Sequence, residues 1–206
     1  AACILYLMIR VLFDAEPLMG AKTGVGYYTQ NLINSIVSHH SNETSMVGYY
    51  FNFLGLSKVP MPSSQKNLSY KNIWWFPPIM LRLLRRFGLQ PSLNFFLPFV
   101  GAKADFVIFP NFTALKTRKP NIVVVYDLGF IDVPDYVSRK NAVFLARFVP
   151  KAIKQASYIV CISEFTKSRL LSNYPWIERP IMVLPAALEC NANIPRKHFA
   201  TDGSIL

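Results

Sequence analysis

Hydrophobic residues fall along this chain as short solid runs separated by longer stretches of helical spacing. The clearest run lies in Asn-Ile-Val-Val-Val-Tyr-Asp-Leu-Gly-Phe over residues 121–130. An unbroken β-branched run, bounded by Pro120 and by Asp127-Leu-Gly129, predicts a strand buried on both faces. Residues 9–13, 105–110, 158–162 and 181–184 predict further strands, and residues 46–53, which alternate loosely and end near Gly55, predict another. Between them, Tyr28, Leu32, Ile33, Ile36 and Val37 recur at helical intervals over residues 27–38. Residues 79–87 predict a helix stopped by Gly88 in a left-handed cap, and residues 92–100 a helix interrupted at Pro98. Residues 138–156 predict a long helix bent at Pro150, where a backbone hydrogen bond is lost. Ser163 caps a helix running to about Asn173. Residues 57–68 read as a polar loop and 73–78 as a short extended aromatic piece.

Strand and helix alternate throughout. The fold class is therefore α/β, a doubly wound and mostly parallel sheet with helices on both faces and right-handed crossovers. In such sheets ligands gather outside the carboxyl ends of the strands. The domain is expected over residues 8–190. Residues 1–7 read as an upstream segment, since Met8-Ile-Arg-Val-Leu-Phe-Asp14 looks like a natural start leading into the first strand; the apolar opening also fits the tail of a signal segment. Residues 191–206 turn polar and read as a linker.

Composition narrows the partners. Of 206 residues, 52% are hydrophobic and 16% charged, ample for a core, and the formal net charge is +11. That charge points to an anionic partner: nucleic acid, a phosphorylated small molecule or an acidic membrane surface. The basic residues are scattered rather than blocked, so nucleic acid is not favoured. Cys3, Cys161 and Cys190 form no C-x-x-C pair and lie far from His39, His40 and His198. Neither a disulfide framework nor a metal site is expected, which fits a reducing compartment. No apolar stretch reaches the length of a transmembrane helix.

Four stretches could carry chemistry. Gly20, Gly24 and Gly26 precede a helix, where free backbone N–H groups favour an anion. The spacing around Gly24, Val25 and Gly26 matches neither the dinucleotide fingerprint nor the phosphate loop of nucleotide hydrolases, and a flexible turn explains it equally well. Tyr126 and Asp127 stand at a strand's carboxyl end, where they serve a ligand or merely order the following loop. Ser163 and Glu164 open a helix and are accounted for by capping. Trp74 and Trp75 precede a helix on which Arg82, Arg85 and Arg86 share one face. That pairing fits contact with an anionic membrane or lipid acceptor, or a core helix with a solvated basic face.

Taken in order, Gly24-Val-Gly-Tyr-Tyr-Thr-Gln-Asn-Leu32, Val124-Val-Tyr-Asp-Leu128, Phe148-Val-Pro-Lys-Ala152, Tyr158-Ile-Val-Cys-Ile-Ser-Glu-Phe-Thr-Lys167 and Ile181-Met-Val-Leu-Pro185 resemble the N-terminal half of family-4 retaining glycosyltransferases. These are GT-B enzymes with two facing Rossmann-like domains, and the resemblance runs from residue 8 to about 199. It implies the acceptor side of an enzyme moving a sugar, with retention, from a nucleotide sugar to a glycan or lipid-linked acceptor. No cofactor is implied beyond that co-substrate. Tyr126 and Asp127 would be catalytic, and Gly24, Val25, Gly26, Ser163 and Glu164 would face the donor phosphates and substrate. A cytoplasmic protein, peripheral on the inner face of a membrane, is expected.

There are two departures. The family usually carries histidine where Tyr126 stands, and a phenol titrating near pH 10 cannot reproduce an imidazole. The nucleotide-binding C-terminal domain is also not part of this sequence, so the chain alone is expected to be inactive. The alternative is a non-catalytic binding module that kept the fold and lost the chemistry.

Overall fold

The computed structural model describes residues 8–56, 66–89, 91–100 and 103–186. Seven strands form one wholly parallel sheet in the order β3-β2-β1-β4-β5-β6-β7. They are β1 (Ile9–Asp14), β2 (Thr44–Tyr50), β3 (Leu68–Asn72), β4 (Phe106–Phe109), β5 (Asn121–Val125), β6 (Tyr158–Cys161) and β7 (Ile181–Val183). The helices are α1 (Gly24–His39), α2 (Pro78–Arg86), α3 (Leu93–Val100), the single turn α4 (Gly129–Asp132), α5 (Arg139–Gln155) and α6 (Glu164–Asn173).

Alternation along the central strands divides the core in two. Val11, Phe13 and Ile108 pack with Met46 and with Ile33 and Val37 of α1. Leu12, Val107 and Phe109 pack on the other side with Phe96 of α3 and with Val149 and Ile153 of α5. Helices thus cover both faces, as the solid apolar runs required. Val123, Val124 and Val125 of β5 are all fully buried, the reason this strand shows no polar alternation at all.

The sequence-based boundaries need five corrections. Leu68 is the expected end of the 57–68 loop and residues 69–72 carry no expected element, but residues 68–72 form β3, paired in parallel with β2 through Met46↔Leu68 and Gly48↔Tyr70. This is an edge strand, and its exposed Ser69 and Lys71 give it the polar look of a loop. Next to it, a Cβ on Gly48 would lie 2.7 Å from both Phe13 and Tyr70, so only glycine lets those two rings meet edge to face at 6.0 Å. Second, α1 begins at Gly24 rather than 27, placing the glycine pair in its first turn. Third, α3 runs through Pro98 to Val100, because Leu93, Phe96 and Val100 on one side are buried and their burial outweighs one missing hydrogen bond. Fourth, residues 74–76 turn instead of extending. Fifth, β2 stops at Tyr50, and residues 53–55 form a 3-10 turn. Gly88 does take the left-handed conformation, at φ +79°, and the Leu89 N–H reaches back to the Leu84 carbonyl at 2.9 Å. Residues 1–7, 187–190 and the expected linker 191–206 lie outside the described residues.

Candidate functional site

At the carboxyl edge of the sheet the sequence-predicted groups fall into two neighbourhoods. The first gathers the tip of β5, the first turns of α1 and α6 and the end of β7. The Thr166 hydroxyl donates to the Tyr126 carbonyl at 2.9 Å, and the Thr166 N–H donates to Ser163 Oγ at 3.0 Å. The Tyr126 and Tyr28 rings meet edge to face at 5.3 Å, and the Tyr28 hydroxyl donates to the Leu184 carbonyl at 3.0 Å. The glycine turn, the valine strand's tip and the serine-led helix start therefore converge on one edge of one domain.

Within this neighbourhood the polar groups are mostly engaged with one another. Tyr126 is buried, packs against Phe112 as well as Tyr28, and donates its hydroxyl to the Pro110 carbonyl at 2.7 Å. Burial drives its phenol far above the usual value. Asp127 is exposed and accepts from the Gly129 N–H at 2.8 Å, an Asx-type turn leading into α4. Ser163 caps α6 as expected, and Glu164 is exposed, 3.6 Å from Lys167. In α1 no side chain caps the first turn, so the amides of Gly24, Val25 and Gly26 keep the free N–H groups of a helix start. Gly26 is fixed by sterics, because a Cβ there would lie 2.5 Å from the Pro17 carbonyl.

The second neighbourhood is a cavity of about 1070 Å³ beside the first. Asp14, at the end of β1, and Asn111, just past β4, both line it. β1 and β4 are neighbours in the sheet, yet the chain leaves β1 toward β2 and leaves β4 toward β5 on the other side. That reversal is the topological switch point at which an α/β sheet leaves a crevice. One wall is α2, through Leu81, Arg82, Arg85 and Arg86; the other is the start of α5, from Arg139 to Phe148.

The walls interlock through arginine and phenylalanine. The Arg85 guanidinium stands 5.8 Å from the centres of both the Phe144 and Phe148 rings, and Arg147 lies 5.7 Å from Phe148 while donating to the Arg86 carbonyl at 3.3 Å. These are cation–π distances. The arginine face read from the sequence is therefore turned toward the cavity. The other side of α2 exposes Ile79, Met80, Leu83 and the following Phe87. Trp74 is exposed, whereas Trp75 is half-buried among Phe76, Phe95, Phe96 and Phe99.

At the floor, Asp14 accepts from the Glu16 N–H at 2.9 Å. Burial, reinforced by the Glu16 charge, raises the Asp14 carboxyl from 3.8 to about 7, and burial also raises Glu16 despite the nearby Arg85 and Arg82. Among the described residues the buried Tyr49 hydroxyl has no hydrogen-bond partner, and its phenol is pushed well up by burial and by both carboxylates. Asp14, Glu16, Arg139, Lys140 and Arg147 were not singled out from sequence. Asp14 carried the same signal as Asp127, a carboxylate at a strand's carboxyl end. Arg139 and Lys140 carried another, two cations in the first turn of a helix, where the dipole disfavours them. Among the described residues, no group of three or more His, Cys, Asp and Glu side chains is placed to hold a metal. No helix there is long and apolar enough to cross a membrane.

No family model matches the chain. The O-antigen chain mannosyltransferase B of Escherichia coli is 20% identical over 196 residues, which cover 91% of this chain and 49% of that protein. The chain thus spans about half the length of the curated relative it matches. Among solved structures, Medicago truncatula UGT71G1 complexed with UDP-glucose aligns over 87% of this chain and 52% of its own, with 12% identity and a TM-score of 0.48. The chain is similar, over nearly its whole length, to half of a glycosyltransferase, as its ordered motifs imply.

Proposed function

We propose that this chain is the acceptor-side half of a sugar-transferring enzyme that uses a nucleotide sugar as donor and a glycan or lipid-linked molecule as acceptor, with retention at the transferred carbon. The observation that carries this reading is the switch-point cavity, a large and partly apolar crevice adjoining the converged tips of β5, α1 and α6. In it an acceptor would lie with its hydroxyl near the edge where Asp127 and Gly24 are exposed. The donor's phosphates would face the amides of Gly24, Val25 and Gly26, whose fixed dipoles stabilise a departing diphosphate without reorganising. Ser163 and Glu164 border the same edge from α6. A nucleotide-binding half opposite would supply the remaining donor contacts, and the reading asks for no metal.

Tyr126 supports the acceptor through position rather than proton transfer, because its hydroxyl is already donated to Pro110. That same bond favours the second reading, a non-catalytic module that kept the fold. The apolar side of α2, with exposed Phe95 and Phe99 of α3, would rest on an anionic membrane surface; the net charge of +11 supports such contact.

The test is reconstitution. The chain is incubated, alone and with a separately expressed nucleotide-binding half, with labelled nucleotide sugars and candidate acceptors. Transfer in the mixture alone, with the product's anomeric configuration retained, is the expected result. Acceptor binding with no transfer in any combination would leave the non-catalytic module.

A further inference from the structure

We propose that the switch-point cavity is a phosphate subsite for the acceptor, binding a phosphate or diphosphate group carried by the molecule to be glycosylated. The inference rests on the acceptor-side reading above and gives that acceptor its chemistry.

Six cationic side chains line the cavity: Arg82, Arg85 and Arg86 from α2, and Arg139, Lys140 and Arg147 from α5. Among the described residues none of the six stands within ion-pair distance of a carboxylate, although Arg10, Lys167 and Arg169 elsewhere on the chain each have one. Cations crowded around a concave surface repel one another, and they are tolerated where an anion completes the set. Arg85 is the most telling. Its guanidinium stands beside the Phe144 and Phe148 rings, 5.8 Å from the centre of each, yet among the described residues its buried Nε has no hydrogen-bond partner. A ring face attracts the charge but satisfies no N–H, so one directional donor is left oriented and unfilled.

The local chemistry of α5 points the same way. Ser138 caps this helix from its N-terminus, and Arg139 and Lys140 occupy the first turn, where the helix dipole works against positive charge. Both the dipole and the two cations favour an anion in the space they line. Against these six cations the lining sets two carboxylates, Asp14 and Glu16, so positive charge is in excess there. Thr113 and Asn111 add neutral hydrogen-bonding groups on the sheet side. Arginine's planar fork suits phosphate oxygens in pairs, and six cations exceed what a single sugar carboxylate would need. The cavity is also larger than a phosphate group, and Phe51, Leu81, Leu115 and Val143 give it an apolar flank. A cavity of about 1070 Å³ has room for a phosphorylated sugar or an isoprenyl diphosphate headgroup.

The test measures binding of inorganic pyrophosphate to the 206-residue chain by titration calorimetry at low and moderate salt. Arg82→Gln and Arg139→Gln, both at exposed positions, are compared with Arg118→Gln, which removes the same charge outside the cavity. Circular dichroism checks that each variant is folded. Loss of one charge-assisted contact should weaken binding about tenfold or more in each cavity variant, with the Arg118 variant close to the parent. Equal weakening in all three would mean diffuse attraction only and would overturn the subsite, as would absence of pyrophosphate binding.

Two further arms separate the ligand's source. Co-sedimentation with neutral phosphatidylcholine vesicles carrying an isoprenyl diphosphate, competed by pyrophosphate, would assign a lipid headgroup. Displacement of pyrophosphate by a soluble sugar phosphate, without such co-sedimentation, would assign a free one. Pyrophosphate binding without sugar transfer leaves the subsite standing while the enzyme reading fails. Sugar transfer to acceptors lacking phosphate, with no pyrophosphate binding, does the reverse.

Discussion

Asp14 offers a sharp test of the cavity's electrostatics. Its carboxyl rises from 3.8 to about 7, mainly through burial and secondarily through Glu16. A raised acid holds its proton more tightly in the folded chain than in the unfolded one, so the folded state is not penalised below pH 4. As pH climbs from about 4 to about 7 the unfolded form ionises first, and stability falls; above 7 both forms are charged and the loss is complete. The interval of roughly three pKa units corresponds to about 4 kcal/mol. Asp14 borders an open cavity and is only half-buried, so water screens the charge and we take roughly half, about 2 kcal/mol. Asp14→Asn removes the titration while its side-chain oxygen can still accept from the Glu16 N–H. The assay is urea unfolding of both proteins from pH 4.5 to 8.5, reading the difference between them; Asp105 and Asp132, whose carboxyls are lowered chiefly by hydrogen bonds from Arg10 and Arg169, change stability only below about pH 4, outside that range. The variant should gain on the parent by roughly 2 kcal/mol across that range. A difference that stays flat with pH would refute the claim that Asp14 is held near neutrality by its surroundings.

Three further substitutions test the first neighbourhood. Gly26→Ala drives a methyl group to 2.5 Å from the Pro17 carbonyl, so the turn at Glu16–Leu18 must shift; thermal unfolding should show a loss of about 1–3 kcal/mol. Tyr126→Phe leaves the buried Pro110 carbonyl without its donor and should cost about 1–2 kcal/mol; in the reconstituted enzyme, transfer should survive, and its loss beyond about tenfold with the fold intact would mean that the hydroxyl acts on substrate. Ser163→Ala removes the acceptor for the Thr166 N–H and should cost about 1 kcal/mol, measured as a shift in the urea midpoint with an unchanged slope.

Much of the fold was legible because parallel sheets buried on both faces leave solid apolar runs, and β1, β4, β5 and β6 all do. β3 was hidden because an edge strand keeps only one protected side, so Leu68 and Tyr70 alternate with polar residues over a span too short to stand out. The start of α1 was hidden because Gly24-Val-Gly26 has low helix propensity, and it is the turn at Pro17, a tertiary neighbour, that selects glycine at position 26. At the site, strand-end placement correctly drew Tyr126 and Asp127 to the right edge. What each group does there was not legible: the Tyr126 hydroxyl is directed inward by Pro110, a residue 16 positions away. The arginine face of α2 was visible from spacing alone, but its direction depends on Phe144 and Phe148 of α5, about 60 residues on, and no periodicity within α2 contains that information.

The two neighbourhoods differ in a way that bears on where a ligand can be held. Around β5 and α6, Tyr126, Thr166, Ser163 and Tyr28 satisfy one another or nearby carbonyls. Introducing a ligand among these groups would require breaking bonds worth about 1 kcal/mol each before any could form. Around the junction of β1 and β4, among the described residues, the cations lack ion-pair partners, the Arg85 Nε and Tyr49 hydroxyl lack hydrogen-bond partners, and Phe144 and Phe148 pack against Arg85 before any ligand arrives. Binding there forms new contacts without destroying old ones, and the ordering cost is already met by the fold. The closed neighbourhood is suited to keeping the edge rigid and the open one to holding an anionic ligand, so substitutions of Tyr126, Thr166 or Ser163 should register mainly in stability and those of the cavity's cations mainly in affinity. A Tyr126 variant that lost pyrophosphate binding while unfolding at the parent's midpoint would break that division.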